Sequence, residues 1–242
     1  MKKIFFILLS LFIISCSSKF NLVPGYKNNK SPNNCKRINW FPKFESEKMI
    51  NEKGFWFIKA LKGYQQTTEY TCGPAALLAL SKFYGLTGIE ENKETEMRIS
   101  REVGTRSMDI LKQGGKPGTK PDEMVNWLKK YGFNVKIEFE DKADGSALKK
   151  LEENIKKGIP TIVEWAYLTG HWVVVVGYDN RGNDDPWDDV LIFADSYDKF
   201  DDYQDGYSFV NANSFYWLWF DLFYFDKITW RTTITAIPKL KP

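Results

Sequence analysis

The stretch "HWVVVVGYD", residues 171–179, constrains the fold more than any other part of the chain. Its run from Val173 to Val176 has no polar face. A strand of that kind must be covered on both sides, which places it in the middle of a sheet. "IPTIVEW" before it and "DVLIFAD" after it are strand candidates too, and "ITWRTTITAI" alternates near the C-terminus. Upstream the signals are helical. "GPAALLALSKFYG" has Pro74 in its first turn and Gly85 at its stop. "GTKPDEMVNWLKKYG" offers Thr119 as N-cap, Asp122 three residues on and Gly132 past its end. "SALKKLEENIKKG" spaces Leu148, Leu151 and Ile155 along one helix face, with Ser146 to cap it and Gly158 to end it. Between these last two, "FNVKIEF" alternates as a half-buried strand. "GFWFIKALKGYQQ" reads as a strand or short helix ending at Gly63, and residues 86–118 are polar and punctuated by glycine. Helices first and strands later give an α+β domain rather than alternating βα units.

The chain has 242 residues, of which 43% are hydrophobic and 16% aromatic, enough to build a sizeable core. A net charge of +3 is too small to point to nucleic acid as a partner. The start reads "MKKIFFILLSLFIISCSS": two lysines, an apolar stretch from Ile4 to Ile14, then Ser15 and Cys16. That is the order of a secretory signal, and the apolar stretch is too short for a membrane span of about 20 residues. "IISC" resembles a bacterial lipobox, in which the cysteine becomes the lipidated first residue of the mature chain. The expected organisation is a lipoprotein signal peptide over 1–15, a flexible tether over 16–45 and one globular domain over 46–242. The expected location is extracytoplasmic, anchored to a bacterial membrane through lipid on Cys16. The tether is rich in Asn and Lys; as a coil from Ser17 to Arg37 it reaches roughly 25 Å.

Cys35 lies in that tether and Cys72 in "QQTTEYTCGPAALLAL". A Cys35–Cys72 disulfide is permitted outside the cytoplasm, yet it requires the tether to fold back. Cys72 has the local features of a nucleophile. It directly precedes a helix start, where unpaired N–H groups and the helix dipole favour negative charge. Gly73 leaves room beside the sulfur, and the "TTEYT" approach is polar. The base is nominated by scarcity, because His171 is the single histidine. It follows the turn "YLTG" and opens the buried strand, where an imidazole is both fixed and accessible. Asp195 closes "DVLIFAD"; if the two strands are antiparallel neighbours, it lies beside His171 and holds the imidazole. Asp179 sits at the wrong end of the histidine's strand, and Asp198 serves only if its loop curls back. Gln66, Gln65 and the Cys72 backbone N–H are the donors available to an oxyanion.

The combination "Q-x5-C-G-P-A", then "G-H-W-V-V-V-V-G-Y-D", then "F-A-D" resembles the bacteriocin-processing, double-glycine leader peptidase-like family of papain-like cysteine peptidases. The resemblance spans roughly residues 60–200. It implies a papain-like fold, with a cysteine-bearing helix packed on an antiparallel sheet that carries the histidine and aspartate. It also implies Cys72 as nucleophile, His171 as general base then acid, Asp195 as orienter and Gln66 in the oxyanion hole. Ser196 stands where Pro is frequent in the family. The chain lacks a G-x-x-x-x-G-K-[ST] phosphate loop, so it looks like a stand-alone form.

A peptide or protein substrate is therefore expected. Acyl transfer to an amine or thiol at the same site, and an inactive module that only binds peptide, are the alternatives. No metal or cofactor is expected: one histidine makes zinc unfavourable, and "DDYQDGYSF", 201–209, lacks the order of an EF-hand loop. The aromatic stretch "FYWLWFDLFYF", 215–225, reads as a helix packed on the domain, with Phe215, Leu218, Leu222 and Phe225 on one face and Trp217, Phe220 and Tyr224 on the other.

Overall fold

The computed structural model describes residues 46–167, 170–199, 204–221 and 228–239. The signal segment, Cys16, the tether and Cys35 lie outside the described residues.

After a short 3-10 turn, Ser46–Lys48, the described chain runs through β1 (Phe55–Phe57), α1 (Cys72–Phe83), α2 (Lys93–Val103) and α3 (Pro121–Lys130). Then come β2 (Phe133–Glu138), α4 (Ser146–Lys156), β3 (Thr161–Trp165), β4 (His171–Asp179) and β5 (Val190–Ala194). It closes with β6 (Tyr207–Asn211), α5 (Ala212–Leu218), β7 (Phe220–Asp221), β8 (Thr229–Trp230) and β9 (Thr233–Pro238). The main sheet has the order β2-β9-β3-β4-β5-β6, and β1 pairs with β4 beyond the end of β3. Every pairing is antiparallel. Strand β4 is central and buried from His171 to Tyr178, as its valine run requires.

Helix α1 is apolar nearly throughout, with Leu77, Leu78 and Leu80 inaccessible to water. A helix of that composition needs neighbours on most of its surface, and it has them: α1 packs on β4, and α2 covers it from outside. Helix α4 buries Leu148, Leu151 and Ile155 against the sheet, at the spacing read from the sequence. A helix carrying Cys72 thus lies on an antiparallel sheet carrying His171, with Asp195 just past the end of β5. This is the α+β arrangement expected from the resemblance.

Several local readings need correction. Residues 86–118 contain a full helix, α2, whose inward side is largely polar, with Thr95, Glu96 and Ser100 buried beside Ile99 and Val103. Its ends follow ordinary capping chemistry: the Asn92 side chain accepts from Thr95 N at 2.8 Å, and Gly104 takes the left-handed conformation. Thr119 does not cap α3. Lys120 holds that position, and Glu123 reaches back to its N–H at 2.8 Å. Thr119 is buried, with its hydroxyl 2.7 Å from that of Thr105 and its carbonyl accepting the Trp172 indole N–H at 3.0 Å. Ser146 is the first residue of α4, after Gly145 in the cap position.

The stretch 215–225 is not one helix. Helix α5 ends at Leu218, Trp219 is buried at its cap, and Phe220 and Asp221 enter β7; residues 222–227 lie outside the described residues. Leu218, expected inside, is exposed, whereas Phe215 is buried and Trp217 exposed as expected. The C-terminal strand is interrupted between β8 and β9, where Arg231 adopts φ 49° and lays its guanidinium over the Tyr216 ring at 3.9 Å. Strand β6 runs through the end of the acidic stretch 201–209 and was not legible as a strand.

Candidate active site

Cys72 is the first residue of α1 and carries a free, buried thiol. It sits where helix N–H groups have no intrahelical carbonyl to bond. Gly73 serves a different contact from the one expected. A Cβ there would lie 2.7 Å from Thr119 Oγ1, so the glycine admits Thr119 rather than clearing space beside the sulfur.

His171 opens β4, and its imidazole is buried rather than accessible. Its Nε2 lies 2.7 Å from Asp195 Oδ1. Cys72 lies close enough to the imidazole for its side chain to favour charge on the ring. Tyr167 and Tyr197 flank the ring edge to face, at 6.3 and 6.0 Å between centroids. Burial works against charge on the imidazole, but the Asp195 hydrogen bond, the nearby Cys72 side chain and the charges of both partners outweigh it. The His171 pKa is raised to about 10. The protonated form of the ring is therefore favoured.

Asp195 is reached because the β4–β5 register places Val174 opposite Ala194, so the start of β4 meets the end of β5. Its carboxylate also accepts from Tyr197 N at 2.8 Å and from Ser208 Oγ at 2.6 Å. Burial alone would raise the Asp195 pKa, yet the His171, Ser208 and Tyr197 contacts hold it below the ordinary carboxylate value. The competitors fall away. Asp179 is at the far end of β4, paired with Val190 and Phe55, and Asp198 accepts the Gly206 N–H at 2.7 Å.

The loop before Cys72 is fastened to the same strand end. A Cβ on Gly63 would lie 2.1 Å from the Asp195 carbonyl oxygen, so only glycine lets the two backbones meet there. The Gly206 carbonyl accepts from both Gly63 N, at 2.9 Å, and Asp195 N, at 3.0 Å. Farther along the loop, Gln66 N donates to the Ser196 carbonyl at 3.0 Å. The Gln66 side chain is held beside Ser196, the residue after Asp195, and lines an open cleft of about 480 Å³ with Thr68, Tyr70, Ser196 and Tyr197; Cys72, His171 and Asp195 do not line that cleft. Gln65 lines the same cleft and is exposed.

Three functional neighbours were missed in the sequence. Ser208 was hidden with β6. Glu96 lies on unread α2. Glu164 sits in β3, fully buried, with its Oε1 so close to Gly170 that a Cβ there would approach it to 3.1 Å. Burial raises the Glu164 pKa well above the carboxylate range; the charges of Asp221 and Cys72 and a hydrogen bond with Asp221 add to this. Its neutral form is thereby favoured. A glutamate inside the otherwise apolar "TIVEW" was the available signal. Among the described residues, no group of three His, Cys, Asp or Glu side chains could hold a metal ion.

A thiol at a helix start, near an imidazole that an aspartate holds, is an arrangement capable of thiol-dependent acyl chemistry. The chain belongs to the Peptidase_C39 like family, whose profile matches residues 58–220, more than half of the chain. The chain is similar to the peptidase domain of Streptococcus ComA, a bi-functional ABC transporter involved in a quorum sensing pathway. Identity is 19%, coverage 74% of this chain and 99% of that one, and the TM-score 0.48. It is also similar to a double glycine motif protease from an AMS/PCAT transporter in complex with the leader peptide, at 15% identity, 76% and 99% coverage and a TM-score of 0.44. The Streptococcus mutans ComA peptidase domain aligns at 19% identity, 73% and 99% coverage and a TM-score of 0.38. No curated protein matches the chain.

Proposed function

We propose that the chain is a lipid-anchored, extracytoplasmic cysteine peptidase that cleaves peptide bonds through a thioester on Cys72. The observation that carries this reading is the buried His171–Asp195 pair near the buried Cys72 thiol, in a chain of a peptidase family. With its proton held on His171, the Cys72 sulfur attacks the scissile carbonyl carbon as the thiolate, and the C=O π electrons move onto oxygen. Gln66 and the Cys72 backbone N–H are the donors beside the oxyanion. The carbonyl re-forms, the C–N bond breaks, and the imidazolium proton of His171 passes to the leaving amine. Neutral His171 then takes a proton from water, whose oxygen attacks the thioester carbonyl, and the thiolate leaves. Asp195 holds the ring's other nitrogen throughout and stabilises its charge.

The leader, "IISC" and the tether support a lipid on Cys16. Incorporation of labelled fatty acid, lost in Cys16→Ala, tests that part separately.

The substrate class is a peptide. The test is a peptide library incubated with the full chain and with Cys72→Ala, products read by mass spectrometry with and without added hydroxylamine. The expected result is cleavage by the wild-type chain alone, with hydroxamates when the amine competes for the thioester. Equal product from Cys72→Ala contradicts the reading. Aminolysis products without any carboxylic acid convert it to a transferase.

A further inference from the structure

One half-buried network remains unused by the steps above, around the Gln66–Thr67 segment. Thr68 O accepts from Gln66 Nε2 at 2.8 Å. A carbonyl oxygen only accepts, so the amide nitrogen must face Thr68 and Gln66 Oε1 must face the other way. There it meets Ser196 Oγ at 2.8 Å, and that hydroxyl must be the donor. Ser196 is itself buried and follows Asp195 directly. The next residue is gripped from the opposite side. Thr67 N donates to Glu96 Oε1 at 2.9 Å and Oε2 at 3.1 Å, and the Thr67 hydroxyl donates to Glu96 Oε2 as well. Glu96 is inaccessible to water, so a carboxyl group has been carried into the interior of α2 to meet these donors.

Resting on the reading of Cys72 as nucleophile, we infer that Ser196 and Glu96 are positioning residues that clamp Gln66 from two sides and fix its amide for the oxyanion. Ser196 sets which end of the amide faces the cleft. With one amide hydrogen committed to Thr68, the second remains for a substrate oxygen. Glu96 fixes the backbone from which that side chain projects. Without the Ser196 hydroxyl the amide is held only by Thr68 and its oxygen end loses its anchor, and a donor that must reorganise loses much of its effect on a developing charge.

The test uses the full chain and two reagents, of which only one builds a tetrahedral carbon whose oxygen sits where the oxyanion would form. Iodoacetamide alkylates Cys72 by displacing iodide, with no oxyanion. N-acetylglycinal adds reversibly: the sulfur bonds the aldehyde carbon, the π electrons move to oxygen, and the thiol proton ends on that oxygen. Alkylation of the Cys72 peptide is followed by mass spectrometry, and the aldehyde Kd is read from protection. In Ser196→Ala the Kd should rise about tenfold or more while the alkylation rate stays within about twofold, and Ser196→Thr should restore the Kd. Glu96→Gln, which turns amide hydrogens toward the Thr67 donors, should shift the Kd in the same direction. An unchanged Kd in Ser196→Ala overturns the inference, as does an equal fall in alkylation rate, which would mark a general structural effect. If wild-type Cys72 is neither alkylated nor protected, the nucleophile assignment itself has failed instead.

Discussion

His171 Nε2 and Asp195 Oδ1 stand 2.7 Å apart although 24 positions separate them in the chain, and both are buried. Asp195 is thereby the main contact favouring charge on an imidazole that burial would otherwise neutralise. Catalysis that needs a protonated imidazole should fall as pH rises through about 10. Replacing Asp195 by Asn should lower kcat/KM by roughly 10²–10⁴-fold. It should also move the alkaline limb to lower pH, because the contact raising the His171 pKa is gone. A pH–rate profile of both proteins checks this. The same shift shapes stability. The His171 contribution is fully present below its ordinary value of 6.5 and disappears as pH rises through about 10. The Asp195 contribution is present above the ordinary 3.8 and is lost as pH falls through its depressed value.

Glu164 should behave in the opposite way to Asp195. Its pKa is raised by burial and by Asp221, so the stability it contributes is fully present below the ordinary 4.5 and declines as pH climbs above it. Glu164→Gln keeps the shape, lets an amide hydrogen reach Asp221 and removes the titration. The variant should gain melting temperature relative to wild type by an amount that grows with pH between about 5 and 9. Thermal melts across that range measure it, and a constant difference would contradict the assignment of a neutral acid.

Gly63 joins the loop before Cys72 to the strand end at Asp195. A methyl group there would sit 2.1 Å from a backbone oxygen, which no side-chain rotation relieves. Gly63→Ala should cost about 1–3 kcal/mol or more in denaturant unfolding. It should also lower kcat more than KM changes, since the displaced backbone carries Asp195 and Ser196.

The parts of this architecture that were legible follow from burial. The valine run of β4 could only be central, and once β5 was taken as its antiparallel neighbour, the start of one strand had to meet the end of the other. That placed His171 beside Asp195 and disfavoured Asp179. Helix α1 was legible from its apolar composition and the Pro74 and Gly85 signals. Helix α2 was not, because its buried side carries Thr95, Glu96 and Ser100, and no apolar period marks it; the Asn92 and Gly104 caps were the remaining clues. Ser208 escaped because an acidic, glycine-containing stretch reads as a loop until pairing with β5 makes its end a strand. The depth of His171 was misjudged for a related reason: a strand start next to a turn looks open, and only the rings of Tyr167 and Tyr197 close it.

The most direct test of the central claim is a double-mutant cycle on kcat/KM for a peptide that the wild-type chain cleaves. Cys72→Ala and His171→Ala should each lower it by about three orders of magnitude or more, and the double variant should be no worse than either, because the two groups act as one unit. Near-normal activity in either single variant, or losses that multiply in the double, would contradict a shared thiol–imidazole mechanism.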